Sequence, residues 1–259
     1  MSKLYSLFSS SKGNCTLIKA PDGFFLIDAS PSMRAIENSL KERDLCLSDV
    51  RAILLTHEHS DHIGAVSSIC KKFNIPIFAG EKTYTYLKEK GVFPDQVQYV
   101  KIHEGEAFEL CGLKITPFQT SHDASQSFGF VFNNSDDQSV LGFASKTVFE
   151  HLKGCPVVFL ESNYDENMLL CGNYNRMLKM RIMGDRGHLS NFQASSLMSE
   201  LLKRGSRRFV LGHLSEENNT PSLAYGEASA AMKEIGAIEN VDYTIDICLK
   251  DGLKKAIIF

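Results

Sequence analysis

The seven cysteines of this chain include no C-x-x-C pair, no stretch reaches 18 consecutive apolar residues, and basic residues are not in excess. Each absence removes a class of protein. Cys15, Cys46, Cys70, Cys111, Cys155, Cys171 and Cys248 are scattered. An odd, patternless set reads as reduced, mostly buried thiols of a cytoplasmic protein, not as a zinc knuckle or a disulfide framework. Without a long apolar run no helix can cross a membrane. The opening "MSKLYSLFSSSKGN" also has no apolar segment long enough for a signal peptide. A net charge of −3 argues against a general electrostatic grip on nucleic acid, which shows as a basic stripe. Two local basic stretches remain, "KRGSRR" (203–208) and "KMRIMGDR" (179–186). On charge alone both read first as solvated helix faces or turns. Linkers, repeats and low-complexity segments are missing too, so residues 1–259 read as one domain. Its 43% apolar and 23% charged residues are enough for an ordinary core.

What is present alternates between strand and helix patterns. "KLYSLF", "NCTLIKA" and "GFFLIDAS" read as strands, with "APDG" as the turn between the last two. "MRAIENSLKERD" and "IGAVSSICKKF" have helical spacing, whereas "VRAILLTH" is the continuous apolar run of a strand buried on both faces. A strand-rich middle follows: "IPIFAG", "VQYVKI", "EAFELCGLKITPFQT", "FGFVFN", "SVLGFAS" and "CPVVFLES". Then come helical "NYNRMLKMRIM" and "NFQASSLMSELLKRG", the strand "RRFVLGH", the helix "SLAYGEASAAMKEIG" and a closing "YTIDICLKDGLKKAIIF". Many strands with helices toward both ends suit two mixed sheets packed face to face with helices outside, an α/β four-layer αββα sandwich.

The chemistry concentrates in "ILLTHEHSDHIGAV" (53–66), where His57, His59, Asp61 and His62 occupy six positions directly after the apolar strand. Where the chain leaves the sheet, residues two apart present their rings on one side, so His57 and His59 can share an ion. Asp61 and His62, opening the next helix, face a second position. Zinc accepts imidazole and carboxylate ligands at about 2.0–2.2 Å and keeps room for water in catalytic sites. Four residues this close cannot complete two sites, so further ligands must come from distant strand ends. His188 precedes "LSNFQASSLMSELL", where Ser190 or Asn191 would cap a helix whose free N–H groups suit a phosphate. "SSSKGN" (9–14) offers backbone donors to an anion, with a plain turn as the equal alternative. His103 and His151 fit no pattern and read as surface residues.

H-x-H-x-D-H after an apolar strand resembles the metallo-β-lactamase fold superfamily, and Asp28 in "FFLIDAS" and His122 in "FQTSHD" follow in the order that family has. "FSSSKGNCTLI" (8–18), "LESNYDENML" (160–169), "GHLSN" (187–191) and "LGHLSEENNTP" (211–221) are similar to its YycJ (WalJ, VicX) branch, related to ribonuclease J and DNA-repair nucleases. The resemblance runs from Leu4 to about Gly236. It implies a metal-dependent phosphodiesterase or exonuclease acting on nucleic acid through a metal-bound hydroxide. The metal is expected to be zinc, with manganese as the alternative. By matching positions it implies His57, His59 and His122 on one ion and Asp61, His62 and His213 on a second. Asp61 also orients the hydroxide, and Asp28 fixes a ligand from behind. His188 is implied as a phosphate contact supported by Glu161.

One position departs from the family. Where its two-metal members carry an aspartate bridging the ions, "LGFASKTVF" places Lys146. An ammonium has three donors and no lone pair, so it cannot ligate while charged. It can hold a substrate phosphate or stand in for an ion's charge beside Asp61. The expectation is one firmly held ion, with the second site weak or empty. Other readings stay open: a thioester or lactone hydrolase of the same fold, which would not need "GHLSN" or Glu161, and a degenerate binding or regulatory member. A flavodiiron-type oxygen reductase usually has glutamate where this chain has His59.

Overall fold

The computed structural model describes residues 1–94, 96–134, 140–144, 149–253 and 255–259. Lys146, Asp136 and Asp137, on which the bridging-ligand expectation bears, lie outside the described residues.

Fourteen strands are described: β1 (Lys3–Ser10), β2 (Gly13–Ala20), β3 (Gly23–Ile27), β4 (Ile53–Leu54), β5 (Ile77–Ala79), β6 (Tyr99–Lys101), β7 (Phe108–Leu110), β8 (Leu113–Gln119), β9 (Phe128–Asn134), β10 (Val140–Ala144), β11 (Val157–Glu161), β12 (Arg208–Gly212), β13 (Thr244–Ile247) and β14 (Ile257–Ile258). They make two seven-stranded sheets, ordered β14-β1-β2-β3-β4-β5-β6 and β13-β12-β11-β10-β9-β8-β7. In each sheet one half is antiparallel and the other parallel: β3 to β6 run parallel in the first, β10 to β13 in the second. The helices are α1 (Met33–Lys41), α2 (Ser60–Ile63), α3 (Val66–Phe73), α4 (Glu81–Glu89), α5 (Phe149–Leu152), α6 (Glu166–Cys171), α7 (Arg176–Met183), α8 (Asn191–Lys203) and α9 (Pro221–Glu234).

Strand β3 shows why the layers form. Its side chains alternate across the sheet, so Phe25 and Ile27 enter the core between the sheets. Phe24 and Leu26 enter the core beneath α1 and α3. An apolar run without alternation is what such a doubly covered strand requires. The inter-sheet core also takes Phe130, Phe132, Phe159 and Val210. A third core, holding Met198, Leu201 and Met232, lies under α8 and α9. The result is the expected αββα sandwich.

Two local differences have physical causes. "EAFELCGLKITPFQT" is a hairpin, turning at Cys111 and Gly112 with φ of 52° and 77°. Helix α4, "EKTYTYLKE", was not expected, because alternating Thr and Tyr favour a strand by local propensity. It is held instead by burying Thr83 and Leu87, four residues apart on one face. Of the cysteines, Cys15, Cys70, Cys155 and Cys248 are buried thiols, whereas Cys46 and Cys171 are exposed.

Candidate metal centre

Every expected ligand stands where the chain leaves a strand. β4 runs into His57, His59, Asp61 and His62, the segment after β8 carries His122, and the residue after β12 is His213. Three groups of side chains come together: His57, His59 and His122; Asp61, His62 and His213; and Glu161, His188 and His213. All of them but Glu161 line a pocket of about 410 Å³, together with Tyr174, Leu178, Arg181 and Ile182.

Hydrogen bonds behind the rings decide which nitrogens are free. Asp28, 2% exposed, accepts from Thr56 N through Oδ1 at 2.8 Å. Its Oδ2 accepts from Thr56 Oγ1 at 2.8 Å and from His62 Nδ1 at 2.7 Å. Since the Thr56 hydroxyl gives its proton to Asp28, it accepts from His57 Nδ1 at 2.9 Å. That leaves His57 Nε2 as a lone-pair nitrogen, and it is buried without a hydrogen-bond partner. Glu161, 3% exposed, plays the same part for two rings, with Oε1 at 2.7 Å from Nδ1 of both His188 and His213. Its Oε2 accepts from Leu189 N at 3.0 Å. Ring nitrogens of metal-binding histidines are held in this way, the far N–H donated to a carboxylate so that the near nitrogen ligates.

The near atoms have metal-site spacing. Two nitrogens on one tetrahedral zinc stand about 3.3 Å apart, given bonds of about 2.0 Å. Here His122 Nε2 and His59 Nδ1 are 3.3 Å apart. Asp61 Oδ2 is 3.4 Å from Nε2 of both His62 and His213. An orphaned buried imidazole and two such clusters fit a divalent metal. Charge agrees. Burial, helped by the neighbouring imidazoles, holds His57 well below its ordinary value. Burial, against the pull of Glu161, takes His122 down to about 4. These rings are neutral, with lone pairs to give. Burial also opposes charge on His62 and His213, but the facing carboxylates outweigh it: Asp28 and Asp61 push His62 up to about 10, and Asp61 and Glu161 push His213 up to about 9. In the metal-free chain protons therefore neutralise the acids that a cation would otherwise neutralise.

Other expectations fare differently. Ser190 does cap α8, its hydroxyl accepting from Gln193 N at 3.1 Å while Gln193 Oε1 accepts from Ser190 N at 3.1 Å. Yet Ser190 and Asn191 are 0% and 4% exposed. Asn191 is tied to Ser162 and Asn219, so neither side chain is brought to the pocket as a phosphate contact. "SSSKGN" is the β1–β2 turn and braces the site through side chains. Ser9 Oγ accepts from His213 N at 2.7 Å, and Asn14 Nδ2 lies 3.1 Å from Asp61 Oδ2 and 3.2 Å from His62 Nε2. "KRGSRR" is structural: Arg208 pairs with Asp246 at 2.9 Å and Lys203 with Glu200 at 2.7 Å. "KMRIMGDR" instead reaches the pocket. Arg181 lines it and pairs with Asp123, and Arg186 Nε donates to His122 O at 3.3 Å.

Sequence reasoning missed Thr56, Asn14, Asp123 and Glu58. Asp123 O lies 3.2 Å from His59 Nε2 and orients that ring. Glu58, 8% exposed, accepts from Ser125 N and, at 3.3 Å, from Thr83 Oγ1, which secures the segment carrying His122. The available signal was adjacency: all four lie beside quoted motif residues.

Residues 24–214 match the family model of a beta-lactamase superfamily domain. The chain is 32% identical over 235 residues to an exodeoxyribonuclease YycJ of Bacillus anthracis, covering 89% of each. It is 32% identical over 228 residues to an exodeoxyribonuclease WalJ of Streptococcus pneumoniae, covering 85% of each. Among solved structures it resembles the metallo-beta-lactamase fold protein YhfI of Bacillus subtilis, with a TM-score of 0.72, 14% identity, and coverage of 97% of this chain and 98% of that one.

Proposed function

The chain belongs to the beta-lactamase superfamily and is a metal-dependent hydrolase of that fold, and from this premise we propose that it hydrolyses phosphodiester bonds of nucleic acid as an exonuclease. The observation that carries this is the Glu161 bridge. One buried carboxylate, Glu161, lies 2.7 Å from Nδ1 of both His213, which also gathers with Asp61 and His62, and His188, which gathers only with Glu161 and His213. A hydrolase acting on a neutral thioester or lactone has no use for an extra oriented imidazole beside the ions. A phosphodiester has charged oxygens for it to hold. The YycJ and WalJ relatives, named exodeoxyribonucleases, favour the same substrate.

In this reading His57, His59 and His122 hold the first ion, and Asp61, His62 and His213 the second. Zinc suits the imidazole-rich first set, with manganese the alternative. Bound there, the metal supplies a water of lowered pKa and offsets phosphate charge. The chain's own groups do the rest. Asp61 orients the attacking water, His188 holds a phosphate oxygen through the ring nitrogen turned away from Glu161, and Asp28 keeps His62 in the ligating tautomer. Arg181, held against Asp123, lines the same pocket. The second ion is held less firmly than the first. In sequence Lys146 takes the position where the family resemblance calls for a bridging carboxylate, and the Asn14 amide already donates to Asp61 Oδ2 at 3.1 Å.

The test is release of nucleotides from end-labelled linear DNA and RNA by the metal-loaded chain, beside thioester and lactone hydrolysis. Nucleotide release that His188→Ala reduces more than it reduces cleavage of a small activated phosphodiester, with metal content unchanged, is the expected result. Turnover of thioester or lactone without nucleotide release would overturn the assignment.

A further inference from the structure

We propose that the groove on the far side of the 185–189 segment is a nucleobase subsite in which Phe192 is the stacking face; this rests on the reading of nucleic acid as substrate. The groove encloses about 710 Å³, and Phe149, His151, Leu189, Phe192 and Leu197 form its apolar walls. Phe192 lies in the first turn of α8 and is 59% exposed, while Ala194 and Met198 supply that helix's buried face. Among the described phenylalanines and tyrosines Phe192 is the most exposed, with Tyr86 and Tyr225 next at 39% and 38%. The His151 ring is held flat against Phe118, with centroids 4.7 Å apart and planes 5° apart, so a second rigid aromatic borders the same space.

Two features commit the groove to a base. The first is continuity. Ser121 and Leu189 line the groove, and the residues next to them, His122 and His188, line the metal pocket. The shared wall is fixed by Ser121 Oγ donating to Asp185 O at 3.0 Å. A strand with one phosphate at His188 therefore has a neighbouring nucleotide at the groove mouth. The second is charge. Among the described residues lining the groove the acids are Glu150 and Asp185, and there is no lysine or arginine. Glu150 is paired with Lys153 outside this lining, so the groove itself offers phosphate no free cation among the described residues, whereas an uncharged flat ring gains by stacking. Because every base has a π face, the contact grips the strand without selecting sequence.

The chain contains no tryptophan, so Phe192→Trp places a single indole reporter at the surface. The titrants are a single-stranded thymidine oligomer and an abasic sugar-phosphate oligomer of the same length. The oligonucleotide is expected to quench the indole saturably, and the abasic oligomer is expected not to. Phe192→Ala should bind the oligonucleotide about 5- to 100-fold more weakly than the unmodified chain, as expected for a lost base stack, and bind the abasic oligomer equally well. Equal quenching by both titrants, or unchanged oligonucleotide affinity in Phe192→Ala, overturns the subsite. A cleavage assay on the same oligomer separates the two readings. Quenching without cleavage keeps the subsite and removes the hydrolysis of nucleic acid, cleavage without quenching does the reverse, and neither signal removes both.

Discussion

Replacing Asp28 by Asn tests whether the carboxylates behind the rings set the metal chemistry or merely fill space. The substitution preserves volume, and asparagine tolerates the left-handed backbone at this position, where φ is 57°. What changes is the number of acceptors. Asp28 faces three donors, Thr56 N, Thr56 Oγ1 and His62 Nδ1, at 2.8, 2.8 and 2.7 Å. An amide turns one of its two ends into a donor. If the NH₂ replaces Oδ1 it meets Thr56 N–H; if it replaces Oδ2 it meets the imidazole N–H of His62. Either way a buried donor is stranded, at about 1–3 kcal/mol. Losing the charge of a buried pair raises the total to about 3–5 kcal/mol. For a chain of this size that is a fall of about 10 °C in Tm. The metal should bind about 10- to 100-fold more weakly, because His62 and, through Thr56, His57 lose their fixed tautomers. Calorimetry of the metal-free variant and a chelator-competition titration measure the two effects. If Tm falls while metal affinity stays at the unmodified level, Asp28 is only a structural acid and the tautomer argument is wrong.

His57→Ala or His122→Ala should abolish metal retention and hydrolysis, and full metal content in either variant by elemental analysis would contradict the first ligand set. His62 and His213 have values raised from 6.5 to about 10 and about 9. The stability they give the metal-free chain is therefore complete below about pH 6.5 and is lost as pH rises through 9 to 10. Thermal melts of the metal-free chain should weaken between pH 7 and 10, and a flat profile would count against the ion-pair geometry. Metal loading reverses the sign, since both rings must shed protons to ligate. Calorimetric titration in buffers of different ionisation enthalpy should detect that release at pH 7. Lys146→Asp should raise metal content toward two per chain and increase nuclease activity; two tightly held ions in the unmodified protein would refute the weak second site.

Much of the centre was legible because its first half is local. His57, His59, Asp61 and His62 lie on one turn of chain after an apolar strand, and no tertiary contact is needed to see that such a cluster suits a metal. The fold was legible for a related reason. A strand such as β3, apolar on both faces, announces layers on either side. His122 and His213 were named through resemblance and order, since nothing local marks a lone histidine at a strand end as a ligand. Helix α4 was hidden by its own alternating Thr and Tyr.

The remaining misses share one cause. Thr56, Asn14, Asp123 and Glu58 act by hydrogen bonds whose partners lie 28, 47, 64 and 67 residues away. Their residue types are common in turns, so propensity and spacing give them no weight. Ser190 and Asn191 were misplaced for the opposite reason. Position at a helix start suggested an anion site, but capping and burial had already committed both side chains. A helix N-terminus becomes a ligand site only when its polar groups are left over from folding. Among the groups left over in the described residues are the unpartnered Nε2 of His57, the outward nitrogen of His188 and the exposed ring of Phe192. All three face the same stretch of surface, from the metal pocket across the 185–189 segment to the groove. A metal ion at His57, and one substrate charged where it meets His188 and aromatic where it meets Phe192, would account for them together.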